Sequence, residues 1–312
     1  LMATKFGYLL PTRELVMGGK PAATPVLNLA KRAEDLGYNS VWVGDSLLAR
    51  PRHEPLTLLA AIAAQTTALQ VGTAVLLPAL RNPVVLAHVV ATVDQISAGR
   101  LILGVGIAAD VPTVRSEFEA AGVPWERRVG RMMEGLRLCK ALWSGQKVDW
   151  DGRWKVRESS MDMTPYQSGG PPLWGGGSAQ GSLRRAGKDL DGWMPIGPNA
   201  ETIGQDWSRV KKIAAEASRD PSQLTCSAYL TIALDDNREI ANNRLNTYLE
   251  NYYGAPAAKI RKMSACYAGP ASEVQEWLMQ FIKNGVTHII LRFAGDQDTH
   301  LKNFAKLGST LI

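Results

Sequence analysis

The sequence predicts an α/β protein, most simply a (β/α)8 barrel of the TIM type, and three observations predict it. Strand-like and helix-like segments alternate over most of the 312 residues, a pattern that favours parallel strands joined by helical crossovers. Val71 to Gly106 shows the unit whole: a β-branched strand VGTAV, a turn LPALRNP, a helix VVLAHVVATVDQIS, and a second strand that ends glycine-rich. A composition of 46% hydrophobic and 21% charged residues suits one large buried core. A doubly wound open sheet is the rival arrangement. The chain reads as a single barrel domain over residues 1–312, with irregular insertions at its C-terminal face at about 146–170 and 245–267.

The elements follow in order. KFGYLL, from Lys5, is the first strand, and PVLNLAKRAEDLG the first helix, where Val26, Leu27, Leu29, Ala30, Ala33 and Leu36 share a face and Gly37 closes the helix. SVWVGD (from Ser40), EPLTLLAAIAAQTTA, LQVGTAV, PVVLAHVVATVDQIS and RLILGVG then alternate strand and helix. A helix from Arg128, RVGRMMEGLRLCKALWSG, closes the first half. PPLWGGGS, the helix GSLRRAGKD and the strand DGWMPI reopen the alternation, which resumes near the end as the helix SEVQEWLMQFIKNG and the strand THIILRF. Two stretches break the rhythm. Gln146 to Gly170 is rich in Trp, Asp, Arg and Gly, and Leu245 to Tyr267 holds two adjacent tyrosines and no clean period. Segments this long inside a compact domain usually serve as lids or binding loops.

Composition removes several classes of function. No apolar run approaches the length of a membrane span, and LMATKFGYLL lacks the layout of a secretory leader. Cys139, Cys226 and Cys266 are odd in number and widely spaced, which points to a reducing compartment, by default the cytoplasm. The net charge of +6 is scattered or in short groups such as Arg184, Arg185 and Lys188, so a nucleic-acid partner is not expected. His88, His288 and His300 stand apart, and no HExxH, HxH or carboxylate cluster offers a metal site. No GxSxG or Cys/His arrangement suggests covalent catalysis. An organic redox cofactor would account for this poverty, because the cofactor carries the reactivity and the protein shapes the pocket.

Four groups of residues carry chemistry. In LWGGGSAQGSLRRAGK a strand ends in Gly175, Gly176 and Gly177, with Ser178 placed to cap the next helix. Such a loop lets backbone N–H groups approach a phosphate; the plainer reading is a glycine-rich turn with a serine cap. GVGIAAD, with Gly106 and Ile107, is an incomplete dinucleotide fingerprint whose glycines fit either close approach of a flat ring or tight packing. Asp45 and Ser46 end the second strand, where a carboxylate orients a ring N–H, accepts a proton, or merely anchors the loop. Arg50, Arg52 and His53 follow in the same loop, as two cations and a titratable ring for an anionic ligand, or as solvated charge.

The segments AEDLGYNSVWVGD, EPLTLLAAIAAQT, VGTAVL, RNPVVLAHVVATVDQISAGRLILGVG, EFEAAGVPWERRVGRMMEGL, LWGGGS, RRAGKDLDGWMP and GPASEVQEWL with GVTHIIL are individually loose but specific in this order and spacing. Through them the chain resembles the bacterial luciferase-like flavin/deazaflavin oxidoreductases. The resemblance implies a luciferase-like barrel, often a homodimer, that holds reduced FMN or the reduced deazaflavin coenzyme F420 at the C-terminal ends of its strands. It implies a bulge with a non-prolyl cis peptide at Thr73, Ala74 and Val75 against the ring, and the phosphate on Gly176, Gly177 and Ser178. Dehydrogenases of the family carry an Asp-His pair after strand two and a glutamate after the strand-four glycines; here Ser46 and Ala109 stand there. The resulting expectation is a monooxygenase taking dissociable reduced FMN and oxygen to a small organic substrate. Asp45, Ser46 and His53 would be catalytic, Arg50 and Arg52 substrate-binding, and a separate flavin or deazaflavin reductase a candidate partner. The alternatives are F420-dependent hydride transfer and a non-catalytic flavin-binding protein.

Overall fold

The computed structural model describes residues 4–308. Its strands are β1 (Lys5–Leu9), β2 (Ser40–Val43), β3 (Gln70–Leu76), β4 (Leu101–Val105), β5 (Val148–Asp151), β6 (Lys155–Ser159), β7 (Leu173–Gly176), β8 (Gly192–Met194), β9 (Thr225–Leu234), β10 (Cys266–Gly269) and β11 (His288–Phe293). Eight of them, β1, β2, β3, β4, β7, β8, β9 and β11, each pair in parallel with the next, and β11 pairs with β1. The ring is therefore closed, and the open-sheet rival falls away. β10 lies parallel to the C-terminal half of β9.

Barrel strands are buried on both faces, inside by one another and outside by helices, so they read as nearly continuous apolar runs. β2, β4 and β11 are buried at every position. The outer layer is one large cluster between strands and helices. A second cluster, built around Leu9, Trp42, Ile102, Trp174, Met194 and Tyr229, fills the inside of the ring. Trp42 and Trp174 lie with ring centroids 5.3 Å apart, and His288 stands edge-on to both. Gly7 and Gly72 make room for the indole: a Cβ at Gly72 would sit 2.4 Å from Trp42 and one at Gly7 2.6 Å from its Nε1. Burial pushes the His288 imidazole down to about 3, so it is neutral and bonds Ser40 Oγ at 2.7 Å. This histidine is a packed core residue.

Three segments differ from the sequence expectation. The seventh barrel strand in chain order, β9, is not among the strands expected from sequence; its Ser227 and Thr231 are buried and break the apolar run that would mark it. Residues 146–170 include the antiparallel hairpin β5–β6. They dock on outer helices, with Gln167 bonding Asp94 through its backbone and side-chain nitrogens at 2.8 Å. The stretch from Leu245 to Tyr267 is mostly regular. Its first part completes the helix Arg238–Tyr253, whose buried residues Ala241, Leu245, Leu249 and Tyr252 do follow a helical period; the asparagines between them obscure it.

Candidate active site

At the C-terminal ends of the barrel strands lies a cavity of about 470 Å³. The interior tryptophans occupy the ring beneath it, so loops after the strands supply its walls, as in barrels generally. Residues after β2 contribute Asp45, Ser46, Arg50 and Arg52; the end of β3 contributes Ala74, Val75 and Leu77; and the segment after β4 contributes Gly106, Ile107 and Glu117. Gly176, Gly177 and Ser178 close one side, and Tyr229, Tyr252, Tyr253 and Arg292 form another wall.

The glycine corner presents backbone to the cavity at Gly176 and Gly177. Gly177 has φ +94, a left-handed conformation natural to glycine, and a Cβ there would meet Ser182 Oγ at 2.9 Å. Its carbonyl is pinned by Trp193 Nε1 at 2.8 Å. The helix Gln180–Asp189 follows, with Ala179 rather than Ser178 at its N-cap and no side-chain cap. The Ser178 hydroxyl is buried and has no hydrogen-bond partner. A buried hydroxyl left so, beside first-turn amides that have no intrahelical acceptor, fits a phosphate oxygen. Gly175 stands apart from the cavity: a Cβ there would lie 2.7 Å from Leu190 Cδ1, so this glycine serves helix packing.

The apolar floor comes from an irregular β3. Pairing with β4 shifts register between Thr73 and Leu76, and the Ala74–Val75 peptide is cis, at the place implied by the family resemblance. Ala74 and Val75 face the cavity, whereas Thr73 is fully buried and its Oγ1 donates to Gly104 O at 2.8 Å. A Cβ at Gly104 would be 2.1 Å from Thr73 O and one at Gly106 2.6 Å from Val75 Cγ2. These two glycines therefore admit the bulge, the tight-packing alternative, while Gly106 also lines the cavity.

The loop after β2 is held from two directions. Asp45, with a side chain only 1% exposed, accepts from Leu77 N at 2.8 Å and from Arg81 Nη1 and Nη2 at 2.5 and 3.1 Å. Its carboxylate is thus committed to an ion pair that anchors the loop. Glu117, buried in the helix Pro112–Ala120, accepts from Ser46 Oγ at 2.6 Å and from the amides of Leu48 and Ala49 at 2.7 and 2.8 Å. Burial alone would raise its carboxyl, but those donors outweigh burial and hold it below the usual carboxylate range. Ser46, where the family resemblance implies a histidine, has its hydroxyl tied to Glu117. His53 lies outside the cavity lining, its Nε2 2.8 Å from Pro21 O.

The remaining wall is cationic and phenolic. Arg292 on β11 is 2% exposed, and its guanidinium bonds Thr231 Oγ1 and Tyr253 Oη at 2.8–3.0 Å. The rings of Tyr229, Tyr248, Tyr252 and Tyr253 surround it at 4.5–5.5 Å. Arg13 lies over Tyr252 at 4.4 Å. Burial would push the Tyr252 phenol up, but Arg292 and Arg52, with Arg13 behind them, bring it below its ordinary value. Burial, with Arg13 nearby, lowers Arg50.

Of the residues singled out in the sequence, the cavity brings together Asp45, Ser46, Arg50, Arg52, Ala74, Val75, Gly106, Ile107, Gly176, Gly177 and Ser178. It leaves out His53, Thr73 and Gly175. Sequence reasoning missed Arg81, Glu117, Tyr229, Tyr252, Tyr253 and Arg292. Only the tyrosine pair carried a visible cue, lying in a segment marked as unusual. No group of three or more His, Cys, Asp or Glu residues suited to a metal ion occurs among the described residues, and no described helix is long and apolar enough to cross a membrane.

The family model described as luciferase-like monooxygenase matches residues 4–309. A phthiodiolone/phenolphthiodiolone dimycocerosates ketoreductase of Mycobacterium sp. (strain JLS) is 29% identical over 77% of this chain and 70% of its own length. The F420-dependent glucose-6-phosphate dehydrogenase of Mycolicibacterium smegmatis is 28% identical over 94% of this chain and 96% of its own. The solved structure of an F420-dependent secondary alcohol dehydrogenase, in complex with an F420-acetone adduct, superposes with a TM-score of 0.85 at 20% identity and full coverage of both chains, which shows the shared fold.

Proposed function

Because the chain belongs to the luciferase-like monooxygenase family and is an enzyme of that barrel type, we propose that it is a deazaflavin-dependent oxidoreductase. Its reaction would move a hydride between coenzyme F420 and the carbonyl or alcohol carbon of a small organic substrate. The observation that carries the reading is the apolar floor at Ala74 and Val75 running to an anion corner with a bare buried hydroxyl on Ser178. The near-full-length similarity to an F420-dependent dehydrogenase supports this cofactor over the reduced FMN and oxygen expected from sequence.

Bound there, the deazaflavin supplies two-electron hydride chemistry. The protein's part is to bind, orient and handle a proton. Gly176, Gly177 and Ser178 hold the phosphate, Ala74 and Val75 back the ring, and the Asp45 and Glu117 anchors fix the rim. Asp45 is engaged by Arg81 and the Leu77 amide, and Glu117 accepts its hydrogen bonds through Oε2, its Oε1 having no partner among the described residues. Tyr252 is the proton carrier: it lines the cavity, and the cations around it ease removal of its phenolic proton. In carbonyl reduction the phenol would give that proton to the substrate oxygen, and in alcohol oxidation the phenolate would take one from it.

The test is a paired titration and turnover. F420 should bind and be oxidised or reduced with substrate, whereas saturation by FMN with no F420 binding would overturn the reading, and tight binding without any turnover would favour a storage role. Tyr252→Phe should lower kcat by about 100-fold, within the usual reach of acid–base catalysis, with F420 affinity unchanged. An unchanged kcat would remove Tyr252 from the mechanism.

A further inference from the structure

Arg292 is a buried cation that forms no ion pair with a carboxylate among the described residues. Its hydrogen-bond partners are the hydroxyls of Thr231 and Tyr253, its Nη1 is buried without any partner, and the groups around it that bear on its charge are tyrosines. Isolated buried charges are unfavourable unless paired. The surroundings add further positive charge, since Arg50 and Arg52 line the same cavity. The acids of this region bond other groups: Asp45 with Arg81, Glu117, through Oε2, with Ser46 and two loop amides, and Glu14 with the Tyr248 hydroxyl. The glycine corner is formed by a different wall.

We propose that Arg292 anchors an anion subsite for the substrate, and that the substrate is a short oxo acid or hydroxy acid whose carboxylate takes the free Nη1. A planar carboxylate matches the planar guanidinium, whose Nη1 carries two N–H donors without partners among the described residues. The Tyr252 ring lies 4.5 Å from the Arg292 guanidinium, so a carboxylate on Arg292 brings an adjacent carbonyl oxygen to the Tyr252 side. That last step rests on the proposed hydride-transfer reading; the anion subsite itself does not.

The experiment uses the full chain without cofactor and calorimetric titration with 2-oxobutanoate, with 2-butanone as the uncharged control and inorganic phosphate as the rival oxyanion. The oxo acid should bind at least about ten-fold more tightly than the ketone, the scale of one hydrogen bond to a charge. Arg292→Leu should erase that preference while leaving F420 affinity within about two-fold. Should the leucine variant fail to fold, Tyr253→Phe, which removes one bond steadying the guanidinium, should reduce the preference by several-fold. Equal binding of acid and ketone overturns the proposal. So does tighter binding of phosphate, a preference that survives Arg292→Leu, or a parallel loss of F420 affinity. Failure of F420 to bind beside a persistent oxo-acid preference would refute the cofactor reading alone.

Discussion

Glu117 is 1% exposed and carries a charge that only its hydrogen bonds justify. Replacing it by Gln keeps the shape but weakens the acceptors for Ser46 and two amides, which should cost about 2 kcal/mol at neutral pH on the scale of hydrogen bonds to charged groups. The pH dependence has a fixed sign. Because the folded carboxyl titrates below its ordinary 4.5, the stabilisation is complete above that value and fades as pH falls through the lower folded one. Denaturant unfolding at pH 7 and pH 3 should show a wider gap between the native protein and Glu117→Gln at the first than at the second. A gap of equal size at both would mean that the charge contributes nothing. At this scale the sequence was partly legible. Asp45 and Ser46 could be placed at a strand end by counting along the chain, but Arg81, Glu117 and Arg292 reach the cavity only through pairings between distant segments, such as Arg292 with Tyr253, which no local pattern announces.

Among elements, the loop joining β7 to the helix Gln180–Asp189 carries the sharpest test. Gly177→Val forces a branched side chain into a positive-φ position that faces Ser182, a strain of about 1–3 kcal/mol. It also intrudes on the phosphate corner. Affinity for F420 should fall at least about ten-fold while a deazariboflavin without phosphate binds as before. Equal losses for both would place the phosphate elsewhere. β3, its following helix and β4 were readable from sequence because β4 is buried throughout, β3 is mostly so, and the helix buries one apolar face behind an asparagine N-cap, Asn82, accepting from Val84 N. β9 was not, because its buried Thr231 accepts from Arg292 and so interrupts the apolar run. The helix Arg238–Tyr253 hid behind its polar residues, and with it the two tyrosines, Tyr252 and Tyr253, that it adds to the cavity wall.

Across the whole molecule, closure of the barrel and the filling of its interior belong together. Trp42 is fully buried among Trp174, His288 and the glycines that accommodate it. Trp42→Ala should cost about 3–5 kcal/mol, as large core truncations do, seen as a lower denaturation midpoint with an unchanged slope. A loss under about 1 kcal/mol would mean that the interior collapses around the gap. The closed α/β architecture was legible in the alternation of segments, which depends on burial and hydrogen bonding repeated along the chain. The cavity's chemistry was less so, since it arises where remote segments converge.

The two acidic anchors on the segment after β2 have a kinetic meaning as well. Asp45 fastens its start to Leu77 and Arg81, and Glu117 fastens Ser46, Leu48 and Ala49. A rim already ordered before any ligand arrives loses little conformational entropy on capture. Association on that side should therefore follow simple second-order kinetics, without the plateau at high ligand concentration that a slow rearrangement of the segment would impose.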